Sequence, residues 1–159
     1  MCLLLTEMAL STSDLNTILG GNNVTKKSYI GTFPSCMHPL SSKKIYSFIT
    51  NTDNHHYTGT HWNAWYVKNA TLTFFDSFGR NYNHQHFPQY YKEIAGKFKN
   101  IRYSPVQLQS LESSTCGHFC VKFIYCQSLG IDLAEFLDDF SKNLYTNDYN
   151  VLDFVRSIL

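Results

Sequence analysis

Short apolar runs of strand length occupy the middle of the chain. Residues 44–50 (KIYSFIT), 61–67 (HWNAWYV) and 71–76 (TLTFFD) are rich in aromatic and β-branched residues, which favours strands. Residues 68–70 separate the last two runs by a short polar stretch, so these two are predicted to form a β-hairpin. A further strand is predicted over 101–108.

Elsewhere, apolar residues recur at helical spacing between capping residues and glycines, which predicts helices. These are a short helix at 15–19 capped by Ser13-Asp14, a helix at 87–100, a helix at 116–129 that ends at Gly130, and two C-terminal helices capped by Asp132 and by Asn147-Asp148. Strands and helices in this order predict an α+β fold with a small, mainly antiparallel sheet flanked by helices. The length predicts one domain, residues 1–159.

Composition and charge exclude several classes of protein. Apolar residues make up 43% of the chain and the formal net charge is +1, which indicates a globular domain without a general affinity for nucleic acid. Five cysteines at irregular spacing are poor evidence for a disulfide framework and favour a reducing compartment. The N-terminus lacks the features of a secretory signal, and no apolar run approaches the roughly 20 residues that span a bilayer. An intracellular protein without a membrane partner is therefore expected.

Cys116 is the first candidate for chemistry, because it begins the predicted helix 116–129. A thiol is a nucleophile as its thiolate, and the N–H groups and dipole of a helix N-terminus favour that anion. The adjacent Gly117 is expected to let a substrate backbone approach closely. Cys120 and Cys126 lie inside the helix and are expected to pack as small apolar side chains.

His61 and Asp76 are the candidate base and its orienting carboxylate, since a thiolate enzyme needs both groups. His61 begins one strand of the predicted hairpin and Asp76 ends the other. A two-residue turn would pair Lys68 with Thr71, and Asn63 would then lie opposite Asp76. His61 and Asp76 become diagonal neighbours on one face in that register. A slip by one residue would send Asp76 to the opposite face.

Gln109 precedes Cys116 by seven residues and is a candidate donor to the oxyanion that forms when the thiolate attacks a carbonyl. Gln107, two residues earlier, is an alternative for the same role. The aromatic residues Trp62, Trp65 and Phe78 are expected to line a narrow cleft that admits glycine.

The segments GTHWNAWYVKNATLTFFDSFG and QSLESSTCGHFC resemble the adenovirus protease (adenain) family. More widely they are similar to the clan of cysteine proteases that also contains SUMO and NEDD8 isopeptidases. That clan carries His, an acidic residue, Gln and Cys in the order found here, whereas papain-like enzymes place Cys first. The spacing of Gln109 and Cys116 and the CGxFC pattern favour the adenain branch, and the likeness covers most of residues 10–130.

The resemblance implies a thiol endopeptidase with Cys116, His61, Asp76 and Gln109 at its catalytic centre. Such an enzyme cleaves precursor proteins of a virus particle at glycine-containing sites, in the host nucleus and in the virion, and needs no cofactor for its chemistry. A monomer is expected. Adenovirus protease is activated by DNA and by a viral peptide that forms a disulfide upstream of the glutamine. This chain has no cysteine between Cys36 and Cys116 for that linkage.

DNA activation stays open because four basic residues are close together in the sequence and could contact phosphates. They are Lys92, Lys97, Lys99 and Arg102. A solvated face is the alternative explanation for this basic cluster.

Three other functions remain open on the sequence alone. A deconjugating enzyme for ubiquitin or a ubiquitin-like modifier would use the same catalytic groups on the same fold. A metal site could draw on His55-His56, His84 with His86, or Cys116 with Cys120, although none has a convincing four-ligand zinc spacing. A catalytically inactive binding module on the protease fold is the third alternative.

Overall fold

The computed structural model describes residues 9–37, 39–52 and 61–159. Ten elements follow one another along these residues: helix α1 (Thr12–Gly21), strands β1 (Tyr29–Phe33), β2 (Ile45–Asn51), β3 (Trp62–Lys68) and β4 (Thr71–Phe75), helix α2 (Gln89–Ala95), strand β5 (Asn100–Tyr103), and helices α3 (Cys116–Ser128), α4 (Leu133–Asp138) and α5 (Leu144–Ile158). This order confirms the predicted α+β class.

The five strands form one sheet in the order β1-β2-β3-β4-β5. The central strands β2, β3 and β4 are antiparallel, and these are the longer pairings. The edge strands β1 and β5 run parallel to their neighbours. Asn69 and Ala70 form the β3–β4 turn with positive φ angles, which suits a tight hairpin and pairs Lys68 with Thr71. The register on which the His61–Asp76 geometry depends is therefore the one that the structure adopts.

Both faces of the sheet are covered, so its central strands are buried on two sides. On one face, Ala64 and Phe75 pack under α3, where the Phe75 ring stacks on Phe123 with the centroids 4.8 Å apart. On the other face, Trp65 and Phe74 pack against α2. Aromatic pairs of this kind add to the free energy from apolar burial. The two layers hold the β3–β4 hairpin rigidly between helices.

Two predicted elements in the middle of the chain are shorter in the structure. The helix predicted over 87–100 ends at Ala95, with Gly96 as its C-cap, because residues 100–103 pair with β4 instead. The strand predicted over 101–108 stops at Tyr103, since Pro105 has no N–H group to extend a ladder.

Two predicted caps are wrong. Helix α1 begins earlier than expected, because Ser11 and Asp14 form a reciprocal capping box. Helix α5 is capped by Asn143, whose side chain accepts from the Thr146 N–H. The predicted caps Asn147 and Asp148 lie inside α5 and are buried. The Asp132 cap is confirmed, since its side chain accepts from the Glu135 N–H.

In the part of the chain that the structure describes, no helix combines the length and apolar character that crossing a membrane requires.

Candidate active site

His61 and Asp76 meet where the β3–β4 hairpin opens. His61 Nε2 lies 2.5 Å from Asp76 Oδ1, and both side chains are almost entirely removed from solvent. A carboxylate can only accept, so Nε2 carries the proton and the Nδ1 atom is left for a second partner. Cys116 lies close enough to His61 to contribute to the raised pKa of the imidazole. The structure therefore brings three of the four predicted site residues into one cluster.

Burial and the neighbouring groups shift the pKa values of His61 and Asp76 in opposite directions. Burial disfavours the imidazolium, but hydrogen bonds to Asp76 and Cys116 outweigh it and raise the pKa of His61 to about 9. Burial likewise disfavours the Asp76 carboxylate, but hydrogen bonds from His61 and Arg80 lower the pKa of Asp76 to about 2. Asp76 is therefore ionised and His61 protonated at neutral pH, which is the charge state that supports a thiolate at Cys116.

A chain of buried hydrogen bonds orients Asp76 from the α2 side of the sheet. The Trp65 indole can only donate, and it donates to the Thr50 hydroxyl at 2.8 Å. Thr50 then donates to the Tyr91 hydroxyl, and Tyr91 donates to the Asn63 side-chain carbonyl at 2.8 Å. This fixes the Asn63 amide, whose NH₂ group donates to Asp76 Oδ1 at 3.0 Å. Every bond in the chain points towards the carboxylate.

The turn after β4 supplies three more side chains to the site. The Phe78 ring stacks on the His61 ring with centroids 5.1 Å apart. Ser77 and Arg80 bond to Gln109 and Asp76 respectively. Gly79 has a φ of +76°, and a Cβ atom there would lie 2.7 Å from the Val106 backbone carbon. Only glycine meets both conditions, so this turn depends on it.

Replacing Gly79 with alanine is expected to destabilise the protein more than the same change at Gly130. Both glycines have a positive φ, which costs an L-residue about 1–2 kcal/mol. A Cβ atom at Gly130 meets no atom within 4 Å, whereas at Gly79 it collides with backbone. That overlap adds roughly 1–3 kcal/mol. Urea unfolding of the two variants measures the difference, and equal losses would show that the turn tolerates the displacement.

Cys116 is the first residue of α3, as predicted, and is nearly buried. Thr115, the residue before it, makes no side-chain hydrogen bond to the first turn. At Gly117 a Cβ atom would lie 3.1 Å from Leu10 and 3.3 Å from Trp62, so the glycine lets these side chains pack closely, and approach of a substrate backbone there stays a prediction. Cys120 is fully buried, and burial raises its pKa well above the usual value. Cys120 is therefore an inert core thiol.

Gln109 is buried and its amide is held in one orientation. The Ser77 hydroxyl donates to Gln109 Oε1 at 2.6 Å, which turns Nε2 towards the segment that leads to Cys116. Nε2 donates one of its two hydrogens to the Ser113 carbonyl at 3.0 Å. Gln107 is exposed, and its amide donates to the Gln109 backbone carbonyl. The structure thus buries Gln109 between the turn after β4 and the segment that precedes Cys116, and leaves Gln107 exposed as a support for the Gln109 backbone.

Helix α5 holds the segment between Gln109 and Cys116. The buried Asp148 carboxylate accepts from Ser113 at 3.0 Å and from Thr115 at 2.8 Å. Asn147 donates to the Leu108 carbonyl at 3.1 Å. Sequence reasoning missed these two roles because it treated Asn147 and Asp148 as helix caps. The signal was the helical spacing of four residues that places Asn147 on the same buried face as Val151 and Val155.

The three aromatic residues predicted to line a cleft have different surroundings. Trp65 is fully buried in the core and cannot line a cleft. Trp62 is half-buried, and its indole donates to the Leu10 carbonyl at 2.9 Å. Phe78 is the residue that covers the His61 ring, since the two rings stack.

The residues considered for a metal site or a DNA site lie in different parts of the chain. Among residues 9–37, 39–52 and 61–159, no three His, Cys, Asp or Glu side chains gather in a set that could hold a metal ion. His55 and His56 lie outside the described residues. The rings of His84 and His86 are 5.3 Å apart on the loop before α2. The basic residues Lys92, Lys97, Lys99 and Arg102 are all exposed, and DNA binding there stays a prediction.

Comparison with solved structures identifies proteins of the same fold. The ASFV pS273R protease aligns over 97% of this chain and 68% of its own, with 10% identity and a TM-score of 0.61. Its selenomethionine form aligns over 73% and 44%, with 15% identity and a TM-score of 0.52. ChlaDub1 from Chlamydia trachomatis aligns over 73% and 60%, with 17% identity and a TM-score of 0.53. The chain thus spans between 44% and 68% of the length of these proteins.

These similarities confirm the protease-type α+β fold that the sequence predicts. Neither the protein-family models nor the curated protein sequences include a match to this chain. The narrower likeness to adenain remains a prediction.

Proposed function

We propose that this chain is a cysteine protease with Cys116 as its nucleophile. The observation that carries the proposal is the His61 ring held between an ionised, buried Asp76 and the Cys116 thiol. The fold supports it, since two proteins with that fold are the ASFV pS273R protease and ChlaDub1. The substrate is a protein, and the reaction is hydrolysis of an amide bond.

The groups at the site have complementary roles in this reaction. Cys116 and His61 form an ion pair in which the imidazolium holds the proton of the thiol, and the thiolate attacks the scissile carbonyl carbon. Asp76 stabilises the imidazolium and keeps the ring in place. The oxyanion receives hydrogen bonds from the second Gln109 Nε2 hydrogen and from the Cys116 N–H at the start of α3. His61 then protonates the leaving amine, and water hydrolyses the thioester to regenerate the thiol.

We further propose that the scissile bond follows glycine. The resemblance to adenain supports this preference, as does the crowding near the nucleophile. Trp62 and Leu10 pack closely on Gly117, and Phe78 covers the ring of His61. A residue without a side chain is the one that such surroundings accommodate best. Precursor proteins of a virus particle are the substrates that this preference and the resemblance imply.

An isopeptidase is the second candidate, and the fold shared with ChlaDub1 favours it. A modifier tail that ends in Gly-Gly would meet the same chemistry as a peptide with an internal glycine site. The two candidates differ in what they need beyond the cleaved bond, because a deconjugating enzyme also binds the folded modifier.

Cleavage assays on the purified chain test both candidates. The substrates are fluorogenic peptides with Gly-Gly or Gly-X-Gly before the scissile bond, and full-length ubiquitin and SUMO with the same reporter at the C-terminus. The matched control peptides carry alanine in place of each glycine. Parallel reactions with and without DNA test activation.

We expect cleavage of the glycine peptides and little cleavage of the alanine controls. Much faster cleavage of a full-length modifier than of its C-terminal peptide would favour the isopeptidase. If none of these substrates is cleaved and Cys116 also fails to react with iodoacetamide, the protease proposal is wrong and an inactive binding module is the better interpretation.

A further inference from the structure

Arg80 binds the Asp76 carboxylate more extensively than any other residue in the described part of the chain does. Its Nε atom lies 2.7 Å from Oδ2, its Nη2 atom lies 3.3 Å from Oδ1, and its backbone N–H donates to Oδ2 at 3.0 Å. His61 and Asn63 both bond to Oδ1. The carboxylate is therefore fully coordinated, with Arg80 bridging its two oxygens.

Packing holds the Arg80 guanidinium in this position. Its central carbon lies 4.6 Å from the Phe87 ring centroid and 5.3 Å from the Phe78 centroid. Such cation–π contacts favour a planar guanidinium over a flexible ammonium. Phe78 in turn stacks on the His61 ring. Arg80 thus contacts the catalytic pair twice, once through the carboxylate and once through Phe78.

The charges at the site explain why an arginine matters there. Asp76 is fully buried, and a lone buried carboxylate is costly. With Arg80 present, the charges cancel both when Cys116 and His61 are neutral and when they form a thiolate–imidazolium pair. Without Arg80, a net negative charge would remain in either state. That charge would oppose the thiolate and retain the proton on His61.

We infer that Arg80 is a positioning residue of the proposed protease, which holds Asp76 for His61 and sets the pH range in which the site is active. This inference rests on the proposed function. Among the described residues, the other titratable groups that face the pair are Cys116 and Cys120 on α3 and, through Asn63, Tyr91 on α2. Burial raises the pKa of both Cys120 and Tyr91, so neither carries a charge that could replace Arg80.

The test is the rate at which iodoacetamide alkylates Cys116 between pH 4 and pH 10, followed by peptide mapping of the intact chain. Arg80→Gln removes the charge, Arg80→Lys keeps it without the bridging geometry, and Arg156→Gln removes an exposed arginine on α5 as a matched control. Thermal melting of each variant monitors folding. Cys36 within the same chain supplies the reference rate of a thiol outside the site.

In Arg80→Gln we expect both the rise and the fall of the alkylation rate with pH to move to higher pH by roughly one unit, because the positive charge next to Asp76 is lost. Arg80→Lys should leave the rise and the fall at the same pH. It should lower the alkylation rate between them, the plateau rate, by about tenfold, because charge-assisted bonds to Asp76 are lost. Arg156→Gln should match the wild type.

If the rise and the fall stay at the same pH in Arg80→Gln, while wild-type Cys116 still reacts much faster than Cys36, the inference is wrong and Arg80 is a purely structural residue. The proposed function would stand in that case. If Arg80→Gln does not fold, Arg80→Lys decides the question. A plateau alkylation rate equal to that of the wild type would then overturn the inference. Wild-type Cys116 that reacts no faster than Cys36 would overturn both the inference and the proposed function.

Discussion

Cys116→Ala is expected to abolish cleavage of the glycine peptides. The alanine leaves His61 and Asp76 in place but removes the atom that attacks the carbonyl, and loss of a catalytic nucleophile lowers kcat by about 10⁴-fold or more. His61→Ala should cause a loss of similar order, because the two residues act as one unit. Steady-state kinetics with the best peptide from the substrate series provides the measurement.

The other cysteines provide matched controls for this change. Cys120→Ala removes a buried thiol from the same helix, one turn further along, and Cys36→Ala removes a half-buried thiol from the loop after β1. Both variants should keep kcat within a few-fold of the wild type, even if Cys120→Ala melts at a lower temperature. Cleavage that survives in Cys116→Ala would exclude Cys116 as the nucleophile and would redirect the search to another group.

Gln109→Ala should lower kcat by about 10²–10³-fold with little change in KM. The amide is proposed to contact the oxyanion, which carries full charge only as the tetrahedral intermediate forms. Ser77→Ala is expected to have a smaller effect in the same direction, because the Ser77 hydroxyl fixes which end of the Gln109 amide faces the site. Both variants are measured with the same peptide and compared at saturating substrate.

Gln107→Ala is the matched control, since it shortens an exposed glutamine only two residues away. Its amide supports the Gln109 carbonyl at 3.0 Å, so a loss of less than about tenfold is expected from one hydrogen bond. A larger loss in Gln107→Ala than in Gln109→Ala would transfer the oxyanion role to Gln107. Equal kcat values in Gln109→Ala and the wild type would remove a side-chain donor from the mechanism altogether.

Local patterns were sufficient to predict the hairpin and the start of the central helix. Aromatic and β-branched residues on either side of Asn69-Ala70 predicted the two strands, and the structure adopts the pairing of Lys68 with Thr71 that a two-residue turn gives. Helix α3 begins at Cys116 and is followed by Gly130, which adopts a positive φ. Such elements could be predicted because neighbours in sequence determine them.

The sequence pattern gave wrong predictions where contacts between residues distant in the sequence determine the local structure. An apolar stripe predicted helix up to residue 100, but pairing with β4 converts residues 100–103 to a strand. The pair Asn147-Asp148 has the composition of a cap, yet both side chains are buried and bind the segment that precedes Cys116. Burial decides these cases, because a polar group removed from water must find a partner wherever the fold provides one.

The amino-acid sequence by itself determined the α+β class, the β3–β4 hairpin and the order His61, Asp76, Gln109 and Cys116 along the chain. It did so because strand periodicity and turn chemistry are local properties. Only the tertiary structure decided how these side chains are held. Ser77 on Gln109 and Asp148 on Thr115 are contacts between distant segments that the fold brings together, and no spacing along the chain encodes them. Arg80 lies only four residues after Asp76, but the turn after β4 decides that its side chain folds back onto the carboxylate.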